Sequence, residues 1–173
     1  MTKWPRESEV DVFYGNPRGK GGSGASLAWE KSKLVYIEKL PFKMHMGDTP
    51  ITKIRCHRLC ADPFRFWLEQ VWKNAGYDPR VIAQWGMDVF SGGYNYRPKR
   101  GMNSLSMHAY GIAMDFDAPR NGLHDRTPNF ANLREQIVKP FLELGGVWGG
   151  DWNGNGKSLD ERRCDGMHFQ FAK

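Results

Sequence analysis

The sequence predicts an α+β fold, and three observations carry that prediction. Two segments have the period of amphipathic helices, several short segments alternate like strands, and their order lacks the regular strand–helix repetition of a parallel sheet. No internal repeat or long linker breaks the 173 residues, a length that buries a core without disulfides and suits one domain. With 40% hydrophobic and 13% aromatic residues, disorder is excluded for most of the chain.

Residues 1–45 read as an N-terminal arm and flexible loop within the same domain, because Pro5, Pro17 and the glycine-rich run 19–24 break a polar stretch that can pack little alone. Residues 46–173 form the main body. Short strands are expected over 34–42 and 51–59, with Ile54 and Cys56 on one face of the second. The clearest helix is expected with Asp62 as N-cap and Pro63 as its first residue. Its stripe of Phe64, Trp67, Leu68, Val71, Trp72 and Ala75 ends at Gly76. A second helix should follow Thr127-Pro128, carry Phe130, Leu133, Ile137, Phe141 and Leu144 inward, and stop at Gly145-Gly146. Pro140 should kink it by removing the bond to the Gln136 carbonyl.

A formal charge of +6 and a pI near 9.3 imply attraction to polyanions. The basic residues are scattered rather than striped and no recognition motif is visible, so nucleic acid is not the expected partner; between an anionic lipid surface and an acidic polymer such as cell wall the charge alone does not choose. No apolar run is long enough to span a bilayer, and the opening Met-Thr-Lys-Trp-Pro-Arg-Glu has no signal-peptide core. Synthesis in the cytoplasm, as a monomer, is the expectation. Cys56, Cys60 and Cys164 are an odd set without zinc-ribbon or redox spacing, and read as small buried residues. Cys164 beside Asp165 is not needed as a nucleophile if a metal does the chemistry.

Two strand-like segments, 111–117 and 167–171, carry that chemistry. Alternation places Ile112, Met114 and Phe116 on one face of the first and Gly111, Ala113, Asp115 and Asp117 on the other. The second places Met167, Phe169 and Phe171 inward and His168 and Gln170 outward. If the strands are neighbours, Asp115 and His168 project from one face, with His108 in the loop leading in. Two imidazoles and a carboxylate are good ligands for one Zn²⁺ that keeps an open position for water, and Asp165, three residues before His168, is placed to contact that water. His45, His57 and His124 have no such partners and read as structural or solvent-exposed.

Ser106-Met107-His108-Ala109-Tyr110-Gly111-Ile112-Ala113-Met114-Asp115 matches S-x-H-x-x-G-x-A-x-D, and Asp165-Gly166-Met167-His168-Phe169 matches D/E-x-x-H-F. These segments resemble the two signatures of the D-alanyl-D-alanine carboxypeptidase and L-alanyl-D-glutamate endopeptidase family, the VanY-like metallopeptidases, with the likeness extending over about residues 50–173. The resemblance implies a small antiparallel sheet carrying zinc on one face with helices around it, the architecture shared with Hedgehog-like proteins. It implies His108, Asp115 and His168 as zinc ligands, Asp165 as catalytic base and a peptidoglycan stem peptide as substrate. It further implies that Arg97 binds substrate or stabilises the oxyanion, with Arg100 as its rival, since Tyr94-Asn95-Tyr96 separates Arg97 from Gly92-Gly93 where the family has Gly-Tyr-Arg. Ser106 falls on the substrate side, and Trp148 and Trp152 either wall the cleft or pack in the core. Asp in the second signature and the segment Trp148-Gly149-Gly150-Asp151-Trp152 favour an endopeptidase over a carboxypeptidase. A wall substrate and no signal peptide together suit a bacteriolytic enzyme of the phage endolysin type, delivered to the wall after synthesis.

One further motif is present. Asp151, Asn153 and Asn155 offer oxygens at positions 1, 3 and 5 of a loop with Gly156 at position 6, as in a calcium-binding EF-hand, but position 12 is Arg162 where a bidentate Glu belongs.

Overall fold

The computed structural model describes residues 3–22 and 24–173, and its mixture of short helices and small antiparallel sheets is α+β. After a 3-10 turn at Glu7–Glu9 come α1 (Val10–Phe13) and α2 (Leu27–Lys33), which leads directly into β1 (Leu34–Ile37). β2 (Met44–Met46) pairs with β3 (Thr49–Ile51), and β4 (Ile54–His57) returns antiparallel to β1. Next come α3 (Arg58–Asn74), α4 (Pro79–Trp85), β5 (Phe90–Gly92), β6 (Ala113–Phe116), α5 (Lys139–Glu143), β7 (Val147–Trp148) and β8 (His168–Gln170). The main sheet runs β5-β6-β8-β7, antiparallel throughout. Among the described residues no helix is long and apolar enough to cross a membrane.

Several boundaries differ from expectation for local reasons. β1 stops at Ile37 because Lys39 turns the chain with φ 53° and Pro41 has no N–H to give a ladder. α3 starts at Arg58, not Pro63: His57 Nδ1 accepts from the Leu59 N–H at 3.2 Å, a cap formed ahead of Asp62, and leaves Pro63 inside the helix. The expected stripe is otherwise intact, with Phe64, Trp67, Leu68 and Val71 buried, and Gly76 at φ 65° follows its end. The second helix is three pieces, 3-10 at Asn129–Leu133, π at Arg134–Val138 and α at Lys139–Glu143. Pro140 cannot satisfy the Gln136 carbonyl, and that oxygen accepts instead from Asn74 Nδ2 at 2.9 Å, tying the irregular helix to α3.

The arm packs more closely than its composition suggests. Trp4, Val10 and Tyr14 lie in the core, Trp4 Nε1 donates to the Leu144 carbonyl at 2.8 Å, and the Tyr14 hydroxyl donates to the Phe171 carbonyl at 2.6 Å. The chain ends also pair, Glu7 N–H to the Lys173 carbonyl and Lys173 N–H to the Pro5 carbonyl, both at 2.8 Å. Two aromatic anchors and one aliphatic, in a polar stretch, therefore suffice to dock it. The glycine-rich run closes on itself through Gly19 N–H to the Gly24 carbonyl at 3.0 Å; its Ser23, like Met1 and Thr2, lies outside the described residues.

The inner face of the main sheet, with Met114, Phe116 and Phe169 fully buried, packs on α3 through Trp67. Its ring lies 4.6 Å from Phe169, 4.8 Å from Phe141 and 5.6 Å from Phe116, and its Nε1 donates to the Ile137 carbonyl at 2.8 Å. Trp67→Ala removes this contact area and orphans that carbonyl, so urea unfolding should show a loss of about 3–5 kcal/mol.

His57 joins α1, β4 and α3. Its Nε2–H donates to the Tyr14 carbonyl at 3.1 Å while Nδ1 accepts from Leu59, so the buried ring is held neutral and burial lowers its pKa to about 4. The unfolded chain takes up that proton below about 6.5, whereas the folded chain resists it down to about 4. Stability is thus fully present above pH 6.5 and falls as pH drops through this window, by at most about 3 kcal/mol. Comparing melting temperatures from pH 7 to 4 for the wild type and His57→Asn, which can still cap α3, should show a shallower slope for the variant.

Candidate metal centre

The outer face of the same sheet carries the candidate site. β6 and β8 are neighbours, and their register sets Asp115 directly opposite His168. His108 reaches them from a 3-10 turn, Met107–Tyr110, whose first N–H groups need a cap; Ser106 Oγ provides it by accepting from the His108 N–H at 3.3 Å. Gly111 ends that turn at φ 67°, and a Cβ there would lie 2.8 Å from the His57 nitrogen, so the turn enters β6 only through glycine.

Three ligand side chains converge. His108 Nε2 and His168 Nδ1 are 3.2 Å apart, His168 Nδ1 is 2.9 Å from Asp115 Oδ1, and His108 Nε2 is 3.2 Å from Asp115 Oδ2. These three residues are the one group of metal-binding side chains that comes together among the described residues. Donors held 2.0–2.1 Å from a tetrahedral Zn²⁺ are about 3.3 Å from one another, and the observed separations, which reach the two different oxygens of the Asp115 carboxylate, are of that size.

The remaining ring nitrogens strengthen the case. His108 Nδ1 faces the Gly93 carbonyl at 2.8 Å, and His168 Nε2 faces Gln170 Oε1 at 2.9 Å. Each must donate its proton outward to an oxygen, which leaves His108 Nε2 and His168 Nδ1 as lone pairs aimed at each other and at a carboxylate. Three acceptors this close require a cation or an added proton between them. The titration tendencies agree. Burial alone would push the Asp115 carboxyl up, but the imidazole hydrogen bonds outweigh it and hold it well below the carboxylate range. Burial likewise pulls His168 down, and its bond to Asp115 raises it above the ordinary histidine value.

These groups open on a cleft of about 590 Å³ lined also by Asp165, Arg97, Arg100, Ser106 and Trp152. Asp165 is fixed by its backbone, its N–H donating to the Gly149 carbonyl at 2.8 Å and its carbonyl accepting from the His168 N–H at 3.0 Å. Its Oδ1 is buried with no hydrogen-bond partner among the described residues. Burial pushes its carboxyl above the usual range, and Asp115 adds to that against the pull of His168. A Cβ on Gly149 would lie 2.5 Å from the Asp165 carbonyl, which explains the small residue at this point of the Trp-Gly-Gly-Asp-Trp segment.

Arg97 and Arg100 both reach the cleft despite the inserted Tyr-Asn-Tyr. The loop doubles back so that the Arg97 carbonyl accepts from the Ser106 N–H at 3.0 Å, and Pro98 bridges Leu105. Neither guanidinium is ion-paired among the described residues, so both remain free to meet an anion.

Trp148 and Trp152 separate. Trp152 lies on the cleft, its ring 5.8 Å from that of His168 and its Nε1 donating to the Arg163 carbonyl. Trp148 does not wall the cleft: it is wholly buried, stacks 6.4 Å from Phe169 and donates to the Gly166 carbonyl at 2.7 Å, because its place on β7 turns it to the core. Met167, expected in the core, instead lines the cleft from just before β8.

The EF-hand-like loop, for which calcium is the lesser reading beside a mobile Gly/Asn loop, is closed by protein groups. Asp151 Oδ2 accepts from Arg134 Nη2 at 2.6 Å and from the Gly156 N–H at 2.9 Å, so one oxygen of the leading carboxylate is already engaged by a guanidinium. Asn153 and Asn155 accept from the backbone of Asn155 and Lys157, and Glu161 from that of Asn153. The three cysteines are free and buried, and burial raises the Cys164 thiol to about 11, which disfavours a nucleophilic thiolate.

Sequence reasoning missed Glu7, Lys99 and Arg163 on the cleft. No local pattern marks Glu7, which arrives there through the docking of a distant segment. Gln170 shares the His168 face by alternation, which is the signal that identifies it.

Residues 100–171 match the model of a family described as D-alanyl-D-alanine carboxypeptidase, which supports a peptidase of that kind and covers both motifs, though less of the chain than the 50–173 expected. No match was found among curated proteins or solved structures.

Proposed function

We propose that the chain is a zinc-dependent peptidase acting on peptidoglycan stem peptides. The observation that carries this reading is the set of three mutually facing lone-pair donors on His108, Asp115 and His168, in a cleft shared with the buried carboxyl of Asp165 and two free guanidinium groups. When bound there, Zn²⁺ supplies a Lewis acid that makes water acidic near neutral pH and polarises a carbonyl.

The chain's own groups do the rest. Asp165, with Oδ1 unengaged, takes the proton of the attacking water and passes it to the leaving amine; a carboxyl raised by burial suits both halves of that transfer. Arg97 and Arg100 hold a substrate carboxylate or the developing oxyanion, since stem peptides carry several carboxylates and an arginine can grip one at two points. Trp152 offers an apolar wall beside the metal ligands.

Within this class we favour an L-alanyl-D-glutamate endopeptidase used as a bacteriolytic enzyme of endolysin type, on the Asp in the second motif and the Trp-Gly-Gly-Asp-Trp segment. The description of the matching family model favours a D-alanyl-D-alanine carboxypeptidase as the second reading. Digesting purified cell wall and mapping the new termini by mass spectrometry separates them: new amino groups on D-glutamate support the first, and release of D-alanine alone supports the second. A chain that takes up no zinc and cuts neither bond overturns both.

A further inference from the structure

We propose that Gln170 is a positioning residue that sets which nitrogen of His168 faces the metal, and that the docked N-terminal segment helps to set it. This rests on the zinc reading above. Gln170 is 3% exposed, and its amide lies between His168 Nε2 on one side and two further acceptors on the other. Its Nε2 donates to the Ala172 carbonyl at 3.0 Å and to Glu7 Oε1 at 3.4 Å, while its Oε1 faces His168 Nε2 at 2.9 Å.

The polarity of this amide is forced by its neighbours. Turned over, it would set its oxygen against a carbonyl and a carboxylate, two acceptors with no proton to share. With Oε1 therefore on the histidine side, His168 Nε2 has to carry the proton, and Nδ1 is left as the lone pair directed at His108 Nε2 and Asp115. Nothing else holds the ring in this state from its far side, since Gln170 is the one hydrogen-bond partner of His168 Nε2 among the described residues.

Glu7 extends the arrangement to the cleft wall. Its other oxygen, Oε2, pairs with Lys99 Nζ at 2.5 Å, and its N–H is fixed by the Lys173 carbonyl. A residue far outside the matched region thus orients, through Gln170, a ligand within it. The arm is a structural part of the centre.

The test measures zinc affinity of the full chain by competition with a chromophoric chelator. Gln170→Leu, which removes the acceptor, should weaken zinc binding by about 10- to 100-fold, and Gln170→Glu, which keeps an oxygen for the ring N–H, should give an intermediate value. Long-range ¹⁵N–¹H spectra of the zinc-loaded wild type should show His168 protonated at Nε2. A folded Gln170→Leu variant that binds zinc as tightly as the wild type overturns the inference, and so does a wild-type spectrum with the proton on Nδ1; the latter decides even if the leucine variant fails to fold. A wild type that takes up no zinc overturns the metal reading itself.

Discussion

Asp165→Ala should leave about one zinc per chain while lowering kcat by roughly a hundred- to ten-thousand-fold, the range expected when a positioned general acid–base is removed. Zinc should stay because the three converging donors do not include Asp165, whose side chain makes no hydrogen bond to any of them. The loss should fall on kcat more than on KM, since the carboxyl acts on the water and the leaving group rather than holding the peptide. Elemental analysis beside steady-state hydrolysis of a stem peptide checks both parts. Full activity in the variant would remove Asp165 from the mechanism, and loss of zinc would make it a ligand. Retained wall binding without hydrolysis in the wild type as well would favour an inert wall-binding module on the same scaffold.

Asp115→Ala should have the larger effect. Asp115 is the single anion among the three donors, and both imidazoles touch it, at 2.9 and 3.2 Å. Without it, two neutral rings whose lone pairs face each other at 3.2 Å remain, a poor site for a divalent cation. Zinc content should drop to background and hydrolysis with it, by at least about 10⁴-fold if the metal supplies both the nucleophile and carbonyl polarisation. Added zinc should not restore the variant, whereas wild-type protein stripped by a chelator should recover on adding zinc back. A variant retaining both zinc and activity would dismantle the proposed centre.

Much of the site was legible because it lies on two strands, where a period of two divides side chains between faces with little ambiguity. Ile112, Met114 and Phe116 had to go inward as a set, which left Asp115 facing outward with Ala113, and the same rule paired His168 with Gln170. The stripe of α3 was legible for the equivalent reason at period 3.6. Its start was not, because the Asp62-Pro63 pair is a strong local signal and the competing cap, His57 on Leu59, is an uncommon one.

The two tryptophans show the limit well. Trp148 and Trp152 stand four residues apart in one glycine-rich segment, with the same side chain and similar neighbours, yet one is sealed in the core and the other borders the cleft. What separates them is the pairing of β7 with β8, a contact between segments about twenty residues apart in sequence, and no local property encodes it. The loop from Asp151 repeats the lesson, since its EF-hand spacing is real but Arg134, from the irregular helix, already occupies the leading carboxylate.

The sequence by itself determined the α+β class, the inward and outward faces of β6 and β8, and the identity of the four side chains on which the chemistry is proposed to rest, because these follow from alternation and from residue chemistry at short range. Only the tertiary structure decided that Asp115 stands opposite His168, that Arg97 and Arg100 both reach the cleft, that Trp148 is core, and that Glu7 borders the centre through a docked N-terminal segment. Those outcomes depend on which distant segments meet. Burial of Trp4, Val10 and Tyr14 against the last residues of the chain is the physical reason they meet as they do at the N-terminal end.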